Sequence, residues 1–342
     1  MKSDGVPVSP TLFARLRALG VDDAAAVRAA GLAGVQPEQG RLYVTTRQFF
    51  ALWDAIGAVS GDPSIGLRIG AESSREQLDI ASLSALHSAN FGDALRKLAR
   101  YKRLICPEDI RVDVRRGEAA VTFLWLMADG FAPDLLTDAM FASAVALARR
   151  GSGKPIKPRR IELTRRTVNR SMLTRHFGCE VRFDAPVDVL VFDADSLDTP
   201  FVTHNEDLLA TLLPALDASL GTFERDQSFA DEVDAVLARS LHGQRPSVDA
   251  LARSLGMSAR TLQRRLAQDG TNYQQQLDRV RQRVARRLLG STDLAPGEIA
   301  FFLGFEEVNS FSRAFHQWEG VTPNRWRNLD LPEDLTSSDG RN

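Results

Sequence analysis

The stretch Ser247-Val248-Asp249-Ala250-Leu251-Ala252-Arg253-Ser254-Leu255-Gly256-Met257-Ser258-Ala259-Arg260-Thr261-Leu262-Gln263-Arg264-Arg265-Leu266 decides how this chain is built. Its first half carries apolar residues at helical spacing, then Gly256, which accepts positive φ, and then Ser258, a natural N-cap for a following helix. That second helix is predicted to turn Leu262 and Leu266 inward and to project Arg260, Gln263 and Arg264 outward from its first turns. The pattern recurs downstream. Pro296 opens a helix, Ile299, Ala300 and Leu303 face inward, Gly304 makes the turn, and a further helix is predicted from about Val308 to Trp318. Between the copies, Leu277, Val280, Val284 and Leu288 form one apolar face, with Arg279, Arg283, Arg286 and Arg287 on other faces, which predicts a single connecting helix.

Charge divides the chain at the same place. The 342 residues sum to a net charge of −1, but residues 245–327 hold 13 Arg, no Lys and 8 acidic residues, a net of +5, which leaves −6 for the remainder. Arg is the side chain best shaped for bidentate contact with phosphate and guanine. A helix-turn-helix presents the start of its second helix to base edges. Two such helices beginning about 50 residues apart, at Ser258 and Val308, could enter successive major grooves, which lie roughly 34 Å apart. Phe305, Phe311, Phe315 and Trp318 fall at core spacing and are expected to be buried rather than stacked on bases.

Several short motifs occur in a specific order: Leu255-Gly256-Met257-Ser258 through Leu266, Gly270-Thr271-Asn272-Tyr273, Glu298-Ile299-Ala300 through Phe305, Ser310-Phe311-Ser312-Arg313-Ala314-Phe315, and Trp318-Glu319-Gly320-Val321-Thr322-Pro323. Over about 95 residues they resemble the double helix-turn-helix domain of the AraC/XylS family of bacterial transcription regulators. The resemblance implies that Ser258, Arg260, Thr261, Gln263 and Arg264 belong to the DNA-contacting region of the first recognition helix, and Val308, Asn309, Ser310, Ser312 and Arg313 to that of the second. Val308 stands where many relatives carry a polar reader, and Glu306-Glu307 precede this helix, where acid favours a helix N-terminus but repels phosphate. The first 200 residues also resemble the arabinose-binding-like N-terminal domain of one regulator subgroup, through His176-Phe177-Gly178-Cys179-Glu180-Val181-Arg182-Phe183 and Leu190-Val191-Phe192 to Leu197-Asp198-Thr199-Pro200. Such domains sense small molecules or mediate dimerisation.

Upstream, residues 9–60 read as helices, with Leu12, Phe13, Leu16 and Leu19 ahead of Gly20 and Phe49, Phe50, Trp53 and Ile56 ahead of Gly57. Segments 77–89 and 91–105 continue the helical period until Pro107. Ile110–Val114 and Ala119–Trp125, joined through Arg115-Arg116-Gly117-Glu118, predict a hairpin. A helix is expected over 132–150, ended by Gly151-Ser152-Gly153-Lys154-Pro155, with strands at Arg160–Leu163, Val181–Phe183 and Val187–Phe192. From Thr203 the pattern is helical, and Pro214 should kink or split the Leu208–Leu220 stripe. The expected organisation is an α+β regulatory domain over 1–220, a linker at 221–228, an all-α double helix-turn-helix over 229–327 and a disordered polar tail over 328–342.

Other chemistries find little footing. Gly151-Ser152-Gly153-Lys154 lacks the Ser/Thr and the leading Gly of a phosphate loop. Asp193, Asp195 and Asp198 lack the Gly and closing Glu of a calcium loop, and the five His show no metal-ligand spacing. Cys106 is not set in the strand-turn-helix of a nucleophile elbow, so an enzyme-like sensor is a distant alternative. Arg159, Arg160, Arg165, Arg166, Arg170 and Arg175 form a second basic cluster that could hold an anionic effector or pair with the domain's own acids. No apolar run approaches membrane-span length and the start of the chain lacks a signal-peptide core, so a cytoplasmic protein is expected. The expected partners are double-stranded DNA, a small-molecule effector, a second copy of the chain and, for an activator, RNA polymerase. No cofactor, metal or catalytic residue is expected. An architectural DNA binder whose N-terminal domain only dimerises is the alternative from another class.

Overall fold

The computed structural model describes residues 5–35, 42–72, 78–126, 128, 132–226, 229–241 and 246–329. The chain divides into two compact units, the first reaching to Asp226 and the second formed by residues beyond it.

The first unit is α+β. Strand β1 (Val6–Val8) is followed by α1 (Pro10–Ala18) and α2 (Asp23–Ala29) and pairs antiparallel with β2 (Leu42–Val44). Helices α3 (Thr46–Ser60), α4 (Ile65–Ala71), α5 (Ile80–Leu86) and α6 (Phe91–Tyr101) come next. Then follow β3 (Glu108–Arg115), β4 (Glu118–Trp125), α7 (Asp134–Ser152), β5 (Arg160–Glu162), α8 (Arg170–Phe177), β6 (Glu180–Arg182), β7 (Val189–Asp193) and α9 (Glu206–Asp226). The larger sheet runs in the order β3-β4-β7-β5-β6, antiparallel except between β5 and β6. The predicted hairpin is present with Arg115 opposite Glu118, and its two turn residues, Arg116 and Gly117, take φ of 51° and 78°, the left-handed pair of a type I′ turn.

Helix α7 supplies Phe141, Ala142, Val145 and Ala148 to a core shared with Val121, Leu190 and Phe192 of the sheet. Each fully buried large apolar side chain of this kind contributes about 1.5–3 kcal/mol of transfer free energy. Helix α4 lies directly on α7 because Gly66 and Gly70 carry no side chain there: a Cβ would stand 2.5 Å from the Leu135 carbonyl oxygen and 2.2 Å from that of Ala139. This close approach leaves the last carbonyls of α4 within reach of Arg15 and Arg150.

Several sequence expectations are corrected. Helix α9 continues through Asp226, so residues 221–226 are helical where a linker was expected, and Pro214 does not divide it; residues 227 and 228 lie outside the described residues. Helix α7 extends through Gly151 and Ser152 before ending at Gly153. Strand β1 and helix α4 were not foreseen, and β2 interrupts the 9–60 run that was expected to be helical, where α1, α2 and α3 are helices as expected. Asn328 and Leu329, assigned to the tail, close a helix that starts at Pro323, and the rest of the expected disordered tail lies outside the described residues.

The second unit is all helical: α10 (Phe229–Ser240), α11 (Val248–Ser254), α12 (Ala259–Gln268), α13 (Tyr273–Ser291), α14 (Pro296–Phe302), α15 (Val308–Glu319) and α16 (Pro323–Leu329). One core joins Val233 and Leu237 of α10, Leu262 and Leu266 of α12, Leu277, Val280 and Leu288 of α13, Ile299 of α14 and Phe311 and Phe315 of α15. The predicted inward stripes are therefore the packed ones. No helix among the described residues is long and apolar enough to cross a membrane.

Candidate nucleic-acid interface

The two predicted turns are built by the same pair of backbone hydrogen bonds. In the first, Gly256 N–H donates to the Arg253 carbonyl at 3.1 Å and Met257 N–H to that of Ala252 at 2.9 Å. In the second, Gly304 N–H donates to Phe301 and Phe305 N–H to Ala300, both at 2.9 Å. Bonds reaching back three and five residues around a left-handed residue form a Schellman ending, which satisfies carbonyls the helix leaves open. Gly256 and Gly304 hold φ of 67° and 69°, a region that costs other residues a Cβ clash. The restart differs. The Ser258 hydroxyl caps α12 by accepting from Thr261 N–H at 3.2 Å. Glu307 is extended before α15, and its side chain makes no capping bond.

Helix α12 buries Leu262 and Leu266 completely, which turns Arg260, Gln263 and Arg264 to solvent. Ser258 is exposed and Thr261 half-buried, their hydroxyls 2.9 Å apart. On α15 the buried pair is Phe311 and Phe315, which leaves Asn309 and Arg313 exposed, one turn apart. Val308 is 44% exposed at the head of that helix, while Ser310 and Ser312 are half-buried. Arg313 Nη2 lies 3.4 Å from Ser310 Oγ. Glu306 and Glu307 are exposed beside this face. Of the four aromatic residues expected to be buried, Phe311 and Phe315 are fully so; Phe305 and Trp318 are half-buried against the same core.

The Arg-rich stretch splits into two populations that sequence did not separate. Arg281 is buried, and its Nε and Nη2 donate to the carbonyls of Leu303 and Gly304 at 2.9 and 2.7 Å, with its guanidinium 4.1 Å from the centre of the Phe305 ring. Arg283 pairs with Asp234 at 2.8 Å, and Arg286 grips both oxygens of Glu319 at 2.7 and 3.0 Å. Burial raises the Asp234 carboxyl above its ordinary range, and the Arg283 charge opposes that shift without cancelling it. Arg327 donates to the carbonyls of Leu289 and Leu294 at 3.3 and 2.5 Å. These four fasten α13 to its neighbours. Arg253, Arg260, Arg264, Arg265, Arg279, Arg313 and Arg325 are the exposed arginines among the described residues of this unit. Arg265 lies over the Phe229 ring at 3.9 Å.

The basic cluster of the first unit is largely paired internally. Arg159 meets Asp193 at 3.1 Å, Arg160 meets Glu118 and Glu162 at 2.8 and 2.6 Å, and Arg165 meets Asp138 at 2.7 Å. Arg170 lies over the Phe183 ring at 4.7 Å. Cys106 is buried, and that burial pushes its thiol well above the ordinary range, which opposes the thiolate a nucleophile needs.

Comparison with known proteins agrees with both units. A family profile described as the arabinose-binding domain of AraC transcription regulator, N-terminal, matches residues 20–201, and a helix-turn-helix domain profile matches residues 251–329. An ornithine utilization regulator of Pseudomonas aeruginosa is 28% identical over 272 residues, covering 79% of this chain and 80% of its own length. The regulator VirS of Mycobacterium tuberculosis is 23% identical over 316 residues, 91% of this chain and 92% of that one. Among solved structures, the regulator CdpR of Pseudomonas aeruginosa aligns with a TM-score of 0.41 at 23% identity, over 90% of this chain and 98% of that chain. The first profile alone spans more than half of the sequence, and the second covers the unit that contains both Schellman turns: the chain belongs to the AraC family of transcription regulators, with an arabinose-binding-type N-terminal domain and a DNA-binding helix-turn-helix C-terminal domain.

Proposed function

We propose that this regulator reads double-stranded DNA with α12 and α15 in successive major grooves. In this reading Arg260, Gln263 and Arg264 meet base edges in the first groove, and Asn309 and Arg313 in the second. Ser258, Thr261, Ser310 and Ser312 place the two helix starts on the backbone, and Val308 offers an apolar contact of the kind a thymine methyl takes. The observation that carries the reading is the repeated turn: the same two hydrogen bonds, made twice, each followed by a helix whose outward face is polar. Helix α13, with 19 residues at ~1.5 Å each, is about 28 Å long, of the order of the groove spacing.

The N-terminal domain supplies the control. A small-molecule effector bound there shifts the population of DNA-competent regulator, and the bound form acts as a homodimer and contacts RNA polymerase as an activator in the cytoplasm. These roles rest on family membership. A relative named for ornithine utilization makes a small metabolite the natural class of signal.

The test is a titration of the full chain against duplexes selected from a random pool. Arg260→Ala and Arg313→Ala should each relax base preference at a different position. Equal losses on selected and scrambled duplexes for both variants would reduce the two residues to phosphate contacts.

A further inference from the structure

The first unit holds a partly open cavity of about 240 Å³, lined by α1, α3, α4, α5, the start of β3, the end of β4 and α7. That is just under the usual range for small-ligand pockets, roughly 300–1,000 Å³. Most of its wall is apolar, with Leu12, Ile105, Phe123, Leu136 and Met140 among its residues. On residues of this wall, Glu108 Oε1, Trp53 Nε1 and Trp125 Nε1 are buried polar atoms with no hydrogen-bond partner among the described residues. Their side chains belong to residues only 1%, 5% and 7% exposed, so solvent does not serve them. The orphaned carboxylate oxygen calls for a ligand that supplies a hydrogen-bond donor.

The charges of the wall fix the sign. Arg15 Nη1 donates to the Ile69 carbonyl at 2.6 Å and Arg150 to that of Ala71, so both guanidiniums reach the last turn of α4, two residues apart. Burial and the Arg150 charge lower the Arg15 pKa, as expected of cations held together in a poorly hydrated place. Among the described residues no carboxylate lies within ion-pair distance of Arg150; its hydrogen bond goes to a neutral carbonyl. Among the described residues the wall holds two acids, and the Asp79 charge partly offsets the lowering at Arg15. Glu108 faces Lys102 at 3.7 Å, and Asp79 caps α5 by accepting from Ser82 N–H at 2.7 Å. Among the described residues of the wall, Arg15, Lys102 and Arg150 stand against Asp79 and Glu108, one positive charge in excess.

We propose that this cavity is the effector site and takes a small organic monocarboxylate: its carboxylate lies at Arg15 and Arg150, its apolar body packs on Trp53 and Trp125, and a hydroxyl on that body donates to Glu108. The proposal rests on the effector-control reading above and names the chemistry of the signal. The two Trp side chains give the site an intrinsic fluorescence readout.

The experiment titrates the full chain with 4-hydroxyphenylacetate, phenylacetate and hexanoate, and in parallel with 4-hydroxyphenylacetamide and tyramine, following Trp emission and thermal midpoint. Saturable binding of the carboxylates is expected, with the amide and the amine at least about tenfold weaker. Arg150→Gln should remove the preference for acid over amide, and Glu108→Met, which has no oxygen to accept the hydroxyl, the preference for 4-hydroxyphenylacetate over phenylacetate. Because Arg150 also caps α4, Arg150→Lys serves as the milder variant, and the acid-against-amide comparison on the unaltered chain stands without either. No saturation by any carboxylate up to about 10 mM, equal binding of acid and amide, or tighter binding of tyramine would overturn the proposal. DNA affinity is measured separately. Carboxylate binding that leaves it unchanged supports the site and removes effector control; a small-molecule cell extract that shifts DNA affinity while no carboxylate binds overturns the site and leaves effector control standing.

Discussion

Arg281, in the middle of the helix that joins the two helix-turn-helix motifs, donates to the carbonyl oxygens of Leu303 and Gly304 at 2.9 and 2.7 Å. Those carbonyls sit at the turn of the second motif, so one side chain of the connecting helix holds the turn from which α15 departs. Charge-assisted hydrogen bonds of this kind are individually strong, and a buried carbonyl left without one bears its full desolvation cost. Arg281→Met should therefore destabilise the C-terminal unit by about 2–4 kcal/mol in urea unfolding. A change near zero would show that the clamp adds nothing to the packing around it.

The same partition of arginines sets an expectation for salt. If every Arg of residues 245–327 met phosphate, the log–log slope of DNA affinity against salt would approach about −12, at ~0.9 per contact. With seven exposed among the described residues, a slope no steeper than about −6 per chain is expected. Anisotropy titrations between low and moderate salt check this. A flat response would remove the electrostatic part of the account.

Gly256 has no neighbour within 4 Å of where a Cβ would stand, so its φ of 67° is its main constraint. Gly256→Ala should cost about 1–2 kcal/mol, and Gly256→Asn less, since Asn tolerates the left-handed region. Thermal melts of the two variants give the comparison. Equal stability for Ala and Gly would mean that the turn relaxes out of that conformation.

In the N-terminal unit, burial pushes the Asp138 carboxyl up to about 6, with the neighbouring Arg165 charge opposing the shift. A carboxyl raised above its unfolded value of 3.8 binds its proton more tightly in the folded state. Its contribution to stability is fully present below about pH 4 and is lost as pH rises through about 6. Asp138→Asn should flatten this part of the pH–stability curve, so the advantage of the unaltered chain over the variant widens as pH falls from 7 to 4. Parallel curves would place the titration on another group.

How much of this could be read from sequence follows from the distance over which each feature is decided. The outward face of α12 was legible because helical period and a turn glycine are local: Leu262 and Leu266 inward already puts Arg260, Gln263 and Arg264 outward. The clamping arginines were not, since the partners of Arg281 and Arg286 lie 22 and 33 residues away, and a solvated cation and a buried one look alike within a single helix. Strands β1 and β2 are three residues each, too short to show alternation. The linker was misplaced at Gly221, a residue that a helix tolerates at a cost of about 1 kcal/mol. In the cavity, Trp53 falls on the helical stripe read ahead of Gly57 and is buried; only the fold brings Trp125, Glu108 and Arg150 round to the same space.

The central claim is that one chain reads two adjacent grooves, and selection of bound duplexes from a random pool tests it most directly. The account predicts two short segments of base preference per chain, centred about 10–10.5 base pairs apart, with Arg264→Ala relaxing a position in one segment only and costing about 1–3 kcal/mol there. A single segment per chain, or no enrichment over random duplex, would contradict it.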